Sequence, residues 1–331
     1  MNQITDFLAT IGEEVIDADE ESFLLFAQDI SPNNLGMLDP RAPSVEVTIN
    51  GNDYTIHQSP SLLSSHRAGG TTGAVLWKIT PLFAEWISNP SNPLRTHTLL
   101  TQTSTVAELG TGISALVALS LAPSVQHYIA TDQEYVRKLF HANLDANRSN
   151  LLTSKAKPKS KGSKSKSKPK EKVSAAANTS TANNISFTTL DWETDQAASL
   201  KECIDSDGAG QDEDEDGEEE DRGFDLLLSC DCVYNEALVA PFVRTCAEIC
   251  RLRPGYGDGD GDGDGDGSWG EGGRRPTVCI IAQQQRSPDV FEAWLRETMR
   301  VFRVWRVRDE VLGKGLGGGS GYLVHLLLVK E

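Results

Sequence analysis

Four places where an apolar run gives way to polar residues carry side chains able to do chemistry. Thr105 to Glu108 runs into Glu108-Leu109-Gly110-Thr111-Gly112, whose two glycines allow a tight turn and close backbone approach by a ligand. Tyr128 to Thr131 ends at Asp132, 22 residues beyond Gly110, where a carboxylate can accept bonds from two ribose hydroxyls. Ile185 to Leu190 ends at Asp191-Trp192, a carboxylate able to receive an adenine amine beside a ring able to stack on the base. Phe224 to Ser229 ends at Cys230-Asp231-Cys232-Val233-Tyr234. A Gly-x-Gly by itself serves packing as often as binding, but an acid at the end of the next strand, at that interval, turns the pair into a nucleoside site. The dinucleotide pattern GxGxxG is incomplete, with Ala115 in third place and nothing marking a second nucleotide half, so a mononucleoside ligand fits better.

These clusters need a frame that brings strand ends together. Val45 to Ile49 and Tyr54 to Gln58 alternate apolar and polar around Asn50-Gly51-Asn52-Asp53, which predicts a β-hairpin. Val75, Leu76, Ile79, Leu82, Phe83, Trp86 and Ile87 recur at helical spacing, and Pro81 within that run predicts a kink or restart just after Trp77. Ile113 to Leu121 reads as an apolar helix; Val136, Leu139, Phe140, Asn143, Leu144 and Asn147 mark the face of another. Phe224 to Ser229 reads as a strand whose centre, Leu226 to Leu228, is apolar without a break, as the middle of a parallel sheet covered on both faces requires. Val239, Phe242, Val243, Cys246, Ile249 and Cys250 form a helix stripe. Val278 to Ala282 is a fifth strand, and Ser287-Pro288 is an N-cap with proline at the first helical position. Phe302 to Val307 and Tyr322 to Val329 then form two strands joined by a Gly-rich link. Alternating β and α predicts an α/β fold, a doubly wound and mostly parallel sheet with a C-terminal antiparallel hairpin strand. Ligands in such sheets bind at the carboxyl ends of the strands, where all four clusters stand.

The chain has 331 residues and a formal net charge of −17, much of it in blocks. Residues 155 to 172 hold nine Lys and one Glu, residues 205 to 221 eleven acids, and residues 257 to 267 five Asp alternating with Gly. None offers apolar surface to bury, so three solvated inserts are expected at about 153–182, 205–222 and 255–273. The Gly-Asp tract lacks the bidentate Glu of a calcium loop and reads as linker. The Lys-rich block can contact RNA phosphates or direct nuclear import. The expected organisation is a 1–70 extension carrying the hairpin, then a catalytic domain over 71–331. Six Cys lack the spacing of a secreted disulfide framework, and the N-terminal residues lack a signal-peptide pattern, so a cytoplasmic location is expected. No apolar run reaches the roughly 18 residues needed to span a bilayer, and no membrane partner is expected. Cys230 with Cys232, and Cys246 with Cys250, have no His partners, so reduced thiols rather than a metal site are expected.

ELGTG, the Asp132 strand end, LDWE and SCDCVY, in that order, resemble the motifs of the seven-β-strand, S-adenosylmethionine-dependent protein-lysine methyltransferases, a class I methyltransferase, Rossmann-like fold. GTTGAVLWK, LLLSCDCVYNE and IIAQQQRS resemble the fungal ribosomal lysine N-methyltransferase 5 group, over about residues 45 to 331. The resemblance implies a seven-stranded sheet with S-adenosyl-L-methionine as cofactor. Trp77 would pack on it, Glu108, Gly110, Thr111 and Gly112 would cradle its methionine part, and Asp132 would hold the ribose. Asp191 and Trp192 would face adenine, Cys230 would line that pocket, and Asp231 and Tyr234 would flank the incoming lysine. It also implies a ribosomal substrate, the first protein of the large subunit, on the mobile stalk, monomethylated by a monomeric enzyme.

Methyl transfer from a sulfonium to an amine is an in-line displacement, so alignment of nitrogen, methyl and sulfur supplies most of the advantage. The lysine must first lose a proton. Asp231 can orient the amine by accepting its N–H, and Tyr234 can shape the channel, although a partly buried aromatic does as much in an ordinary core. The six His offer no clear general base. The rival readings are an elongation factor or chaperone as substrate, and a non-catalytic ribosome-binding module of the same fold. Methylation of a nucleic-acid base is disfavoured because DCVY stands where an NPPY-like motif would.

Overall fold

The computed structural model describes residues 3–30, 35–65, 70–149, 184–205, 223–253 and 275–330. The inserts expected at about 153–182 and 255–273, and the Lys-rich block with them, lie outside the described residues. So does the one at 205–222, save Asp205, which ends the helical turn Glu202–Asp205.

Among the described residues ten strands form: β1 (Gly12–Glu14), β2 (Ser44–Ile49), β3 (Asn52–His57), β4 (Thr105–Leu109), β5 (His127–Asp132), β6 (Ile185–Thr189), β7 (Leu226–Cys230), β8 (Val278–Gln284), β9 (Phe302–Val307) and β10 (Tyr322–Val329). Eight of them make one sheet in the order β1-β9-β10-β8-β7-β4-β5-β6, and β2 with β3 makes the separate hairpin. From β6 to β8 the pairs are parallel. β10 is antiparallel to both β8 and β9. The doubly wound α/β frame is therefore present, and the strand order reverses between β4 and β7, the crevice where such sheets take ligands.

The sheet is one strand wider than the seven expected. β1 pairs antiparallel with β9 through Gly12↔Val307, Glu13↔Arg306 and Glu14↔Trp305. A β-carbon on Gly12 would lie 1.7 Å from the Arg306 carbonyl oxygen, so glycine is what lets this segment close on the edge. Glu14 then pairs with Arg303 at 2.7 Å. Three residues reading Gly-Glu-Glu carry no strand periodicity; the unpaired edge of β9 recruits them.

Apolar side chains alternate between the two faces, as a sheet covered on both sides demands. Leu226 and Leu228 of β7 enter one core layer with Phe83, Leu116 and Phe140, while Leu227 enters the other with Phe242, Trp294 and Leu295. The helices over these faces include α1 (Gln3–Ile11), α2 (Ala18–Phe26), α3 (Ile79–Ser88), α4 (Leu116–Leu121), α5 (Glu134–Ala146), α6 (Glu236–Arg251), α7 (Pro288–Val301) and α8 (Asp309–Leu316). Three expectations shift in detail. α3 does not kink at Pro81 but begins at Ile79, so the proline lies in the first turn, where its missing N–H breaks no helical bond. α4 begins at Leu116 rather than Ile113, because Ala115 is left-handed with φ +54°. The Gly-rich link between β9 and β10 contains the short helix α8.

The hairpin is held by two asparagines one turn apart, Asn143 on α5 and Asn147 at its C-cap. Asn143 accepts the His57 N–H at 2.8 Å and donates to its carbonyl at 3.0 Å; Asn147 does the same for Thr55 at 3.0 and 2.9 Å. The next residue, Gln58, accepts the Leu76 N–H at 2.7 Å, which fixes the segment delivering Trp77. No helix among the described residues is long and apolar enough to cross a membrane.

His325 of β10 is fully buried against Phe291 and Trp294, and neither ring nitrogen has a hydrogen-bond partner among the described residues. Burial first, and then the Arg306 cation, hold it down at about 3, and the Glu21 carboxylate stands 4.0 Å away. The folded protein thus refuses a proton that the unfolded chain accepts as pH falls through about 6.5, so stability is lost on acidification in that window. Between about pH 6.5 and pH 4.5 the wild type should lose about 2 kcal/mol more than His325→Leu, read by urea unfolding at both pH values. Equal losses would place the acid sensitivity elsewhere.

Candidate functional site

All eleven residues singled out in the sequence line a single cavity of about 460 Å³: Trp77, Glu108, Gly110, Thr111, Gly112, Asp132, Asp191, Trp192, Cys230, Asp231 and Tyr234. That volume is within the range of small-molecule sites. The convergence follows from the topology. β4, β5 and β7 are parallel neighbours, so their carboxyl ends open on one side, and the turn after β6 reaches over them.

The turn after β4 is built by its neighbours. Thr111 donates its N–H to the Thr131 carbonyl at 3.1 Å, and Gly112 donates to Asp132 Oδ2 at 2.8 Å. Ser229 Oγ donates to the Leu109 carbonyl at 3.1 Å. Gly110 has φ +67° and lies under the Trp192 ring and beside the Cys232 thiol. Ile113 donates to the Gly73 carbonyl at 3.0 Å, which ties this turn to the segment before Trp77.

Glu108 sits at the floor with 2% exposure, its Oε2 accepting from Thr111 Oγ1 at 2.7 Å and Tyr128 OH at 2.8 Å. Burial pushes its carboxyl up to about 7 against the pull of those two bonds. Burial likewise raises Asp132 to about 6, although both its oxygens accept backbone N–H groups, from Gly112 and, at 2.7 Å, from Gln133. Each oxygen keeps a further lone pair, which suits a diol. Asp191 accepts the Glu193 N–H at 2.9 Å, and Trp192 packs edge-on against Phe242 at 5.0 Å between centroids. A glycine turn open to close approach, a carboxylate fixed by two amides and an indole over that turn fit an aminoacyl nucleoside such as the cofactor the resemblance implies.

At the other end of the cavity, Tyr234 is 40% exposed and its hydroxyl accepts from Thr72 Oγ1 at 3.2 Å. The Trp77 indole donates to the Thr72 carbonyl at 3.0 Å, so one short segment holds both aromatics. Cys230, the last residue of β7, is kept a neutral thiol by burial first and the nearby Asp231 charge second.

Asp231 is left-handed with φ +66° and 8% exposed. Its carboxylate is heavily engaged. Oδ1 accepts the Gln284 N–H at 3.3 Å, and Oδ2 accepts Gln284 Nε2 at 2.9 Å together with the Arg286 guanidinium. Burial raises this acid to about 6 even with Arg286 and Gln284 pulling it down.

Arg286 and Gln284 stand outside the four strand-end clusters that the sequence marks. Applied to the fifth, β8, the same rule finds them: Gln284 ends that strand and Arg286 stands two residues beyond. Thr72 and Cys232 are further cavity residues without an assigned role, Cys232 having been read as a core thiol.

No family model matches the chain. It is similar to proteins named ribosomal lysine N-methyltransferase 5, as its motifs indicated. The Zygosaccharomyces rouxii protein is 28% identical over 276 residues, covering 79% of this chain and 76% of that one. The Kluyveromyces lactis protein is 23% identical over 313 residues, covering 86% and 83%. The chain is also 25% identical over 304 residues to a Schizosaccharomyces pombe protein named diaminohydroxyphosphoribosylamino-pyrimidine deaminase, covering 91% of this chain but 55% of that protein, so it spans about half of that relative's length. Among solved structures, the N-methyltransferase NodS of Bradyrhizobium japonicum in complex with S-adenosyl-L-homocysteine aligns at TM-score 0.34 and 11% identity, over 73% of this chain and 90% of that one.

Proposed function

We propose that the chain is an S-adenosylmethionine-dependent protein-lysine N-methyltransferase whose substrate is a large-subunit ribosomal protein. The observation that carries this reading is that one cavity joins the nucleoside-type residues Gly110, Asp132 and Trp192 to Asp231 and Tyr234. The bound cofactor would supply a methyl group on a cationic sulfur. Asp132 would hold the ribose hydroxyls, Trp192 would cover the adenine, and the Glu108–Thr111 turn would seat the amino-acid end. Asp231 and Tyr234 would flank the incoming lysine, with Trp77, which would pack on the cofactor, beside them across Arg286. A free lysine has a pKa of about 10.4, and burial beside cations favours the neutral amine. The similarity to ribosomal lysine N-methyltransferase 5 proteins supports the ribosomal substrate, which we narrow to one monomethylated lysine of the first large-subunit protein, on the stalk.

Deamination, named for the fission yeast relative, has no support in this chain. Zinc nucleobase deaminases use His-x-Glu and Pro-Cys-x-x-Cys, and none of the six His or six Cys falls in either pattern.

The test incubates purified protein and radiolabelled S-adenosylmethionine with large-subunit ribosomal proteins from a fungal strain lacking the endogenous enzyme. The expected result is one labelled protein, heavier by a single methyl on a lysine. Label on an elongation factor or chaperone would keep the chemistry and discard the ribosomal substrate. Cofactor binding without transfer to any protein would favour a non-catalytic module.

A further inference from the structure

We propose that Arg286 fills the cation slot between Trp77 and Asp231, so that a lysine side chain enters this channel only as the neutral amine that methyl transfer requires. The inference rests on the lysine reading above. An aromatic face and a carboxylate both attract an ammonium ion, the first through its ring quadrupole and the second through a charge-assisted hydrogen bond. Here both are already matched by one residue of the chain. The Arg286 guanidinium lies 4.3 Å from the Trp77 ring centroid and pairs with Asp231 Oδ2. The pair is sheltered, with the Asp231 side chain 4% exposed and that of Arg286 26%. Arg286 is not part of the cavity wall itself; it touches two residues that are.

Asp231 cannot readily turn away from this partner. Gln284 holds both its oxygens, and the Gln284 amide is itself oriented by the Gly36 N–H, donated to its Oε1 at 2.6 Å. An arriving ammonium would therefore meet a neutralised carboxylate and a fixed guanidinium, and like charge disfavours the protonated form. Without Arg286, the same carboxylate would pair with the ammonium and keep its nitrogen lone pair bound to a proton.

The thiols and phenols around Asp231 add no charge of their own. Cys230, Cys232, Tyr234 and Tyr322 are all raised by burial above their ordinary values and stay neutral near pH 7. Glu108 and Asp132 are the acids across the cavity floor. Lys78, beside Trp77, donates its ammonium to the Leu35 carbonyl at 3.0 Å. Arg286 thus acts as a positioning residue, setting the charge that the substrate nitrogen meets.

Two measurements test it, on wild type, Arg286→Gln and Arg286→Lys, with S-adenosylhomocysteine affinity and unfolding midpoint as checks on the fold. The first is the pH profile of methyl transfer to large-subunit ribosomal protein from pH 6 to 9.5. Arg286→Gln should lower transfer at pH 7 at least tenfold, move the rising limb up by a pH unit or more, and recover towards wild type at high pH, while Arg286→Lys restores most of the profile. The second is binding of n-butylammonium, a lysine side chain without its backbone, to S-adenosylhomocysteine-saturated protein at pH 7. Arg286→Gln should bind it at least tenfold more tightly than wild type. A loss of transfer uniform across pH, a gain at pH 7 from relief of self-blocking, or equal n-butylammonium affinity would each overturn the proposal. Wild-type protein that transfers at no pH would instead sink the lysine reading, and n-butylammonium binding would still decide whether Arg286 fills the slot.

Discussion

Gly110→Ala is expected to weaken S-adenosylhomocysteine binding by roughly 100-fold or more, through a left-handed backbone cost of about 1–2 kcal/mol and an overpacking cost of about 1–3 kcal/mol at the cavity wall. Gly110 has φ +67°, where a side chain is disfavoured. Its new β-carbon would lie 2.3 Å from Cys232 Sγ and 3.5 Å from the Trp192 ring, both parts of the wall. The thiol is buried against the Leu109 carbonyl at 3.4 Å, so relief must come from moving the turn or the indole. A domain of this size has about 5–15 kcal/mol of stability, enough for the fold to survive the substitution. The mechanism can be separated from general damage by removing the atom that clashes. In a Cys232→Ala background the Sγ is gone and only the backbone cost remains, so Gly110→Ala should then cost about tenfold or a little more. Calorimetric titration of the four proteins reads this directly. Affinity within threefold of wild type for the single variant would remove Gly110 from the ligand cradle, and failure of the double variant to recover would remove Cys232 from the explanation.

Asp231→Ala should divide turnover from cofactor binding. Turnover is expected to fall by about 100-fold or more, the scale on which small misplacements of reacting groups act. S-adenosylhomocysteine affinity should change little, because Asp132, Asp191 and Trp192, which would hold the ribose and adenine, belong to β5 and the turn after β6, and the hydrogen bonds of Asp231 go to Gln284 and Arg286 instead. The substitution removes the anchor of Arg286 and of the Gln284 side chain, and it puts alanine at φ +66°, a conformation that aspartate tolerates better. Single-turnover transfer and calorimetry on one preparation measure both quantities. Full turnover in the variant would remove Asp231 from the site. The wild type should also lose transfer as pH falls through about 6, because Asp231, lifted there by burial against the pull of Arg286, then takes up a proton and releases its hold on the guanidinium.

Much of this site is legible without coordinates, and for a definite reason. A short apolar run such as Leu226 to Leu228, set between helical patterns, reads as a strand covered on both faces, and in a doubly wound sheet every parallel strand delivers its carboxyl end to the same side. Residues at strand ends are thus neighbours in space although far apart in the chain, which is how Gly110, Asp132, Trp192, Asp231 and Tyr234 come to share a cavity. The rule depends only on alternation of elements and strand direction, both of which are local in sequence.

What the tertiary structure alone decided are pairings that no local pattern encodes. β1 is three residues without strand periodicity, drawn in by the open edge of β9 and admitted because Gly12 has no side chain. Pro81 breaks nothing because the helix starts at Ile79, which puts the proline in the first turn. Asn143 and Asn147 look like members of a helix face, yet their amides satisfy the backbone of a hairpin strand 86 and 92 residues away. The ion pair of Asp231 with Arg286 spans 55 residues and two strand ends. Side-chain identity records that a carboxylate and a guanidinium exist; which of the chain's many charges meets which is settled by burial, where an unpaired charge is too costly to leave and the nearest opposite charge must answer it.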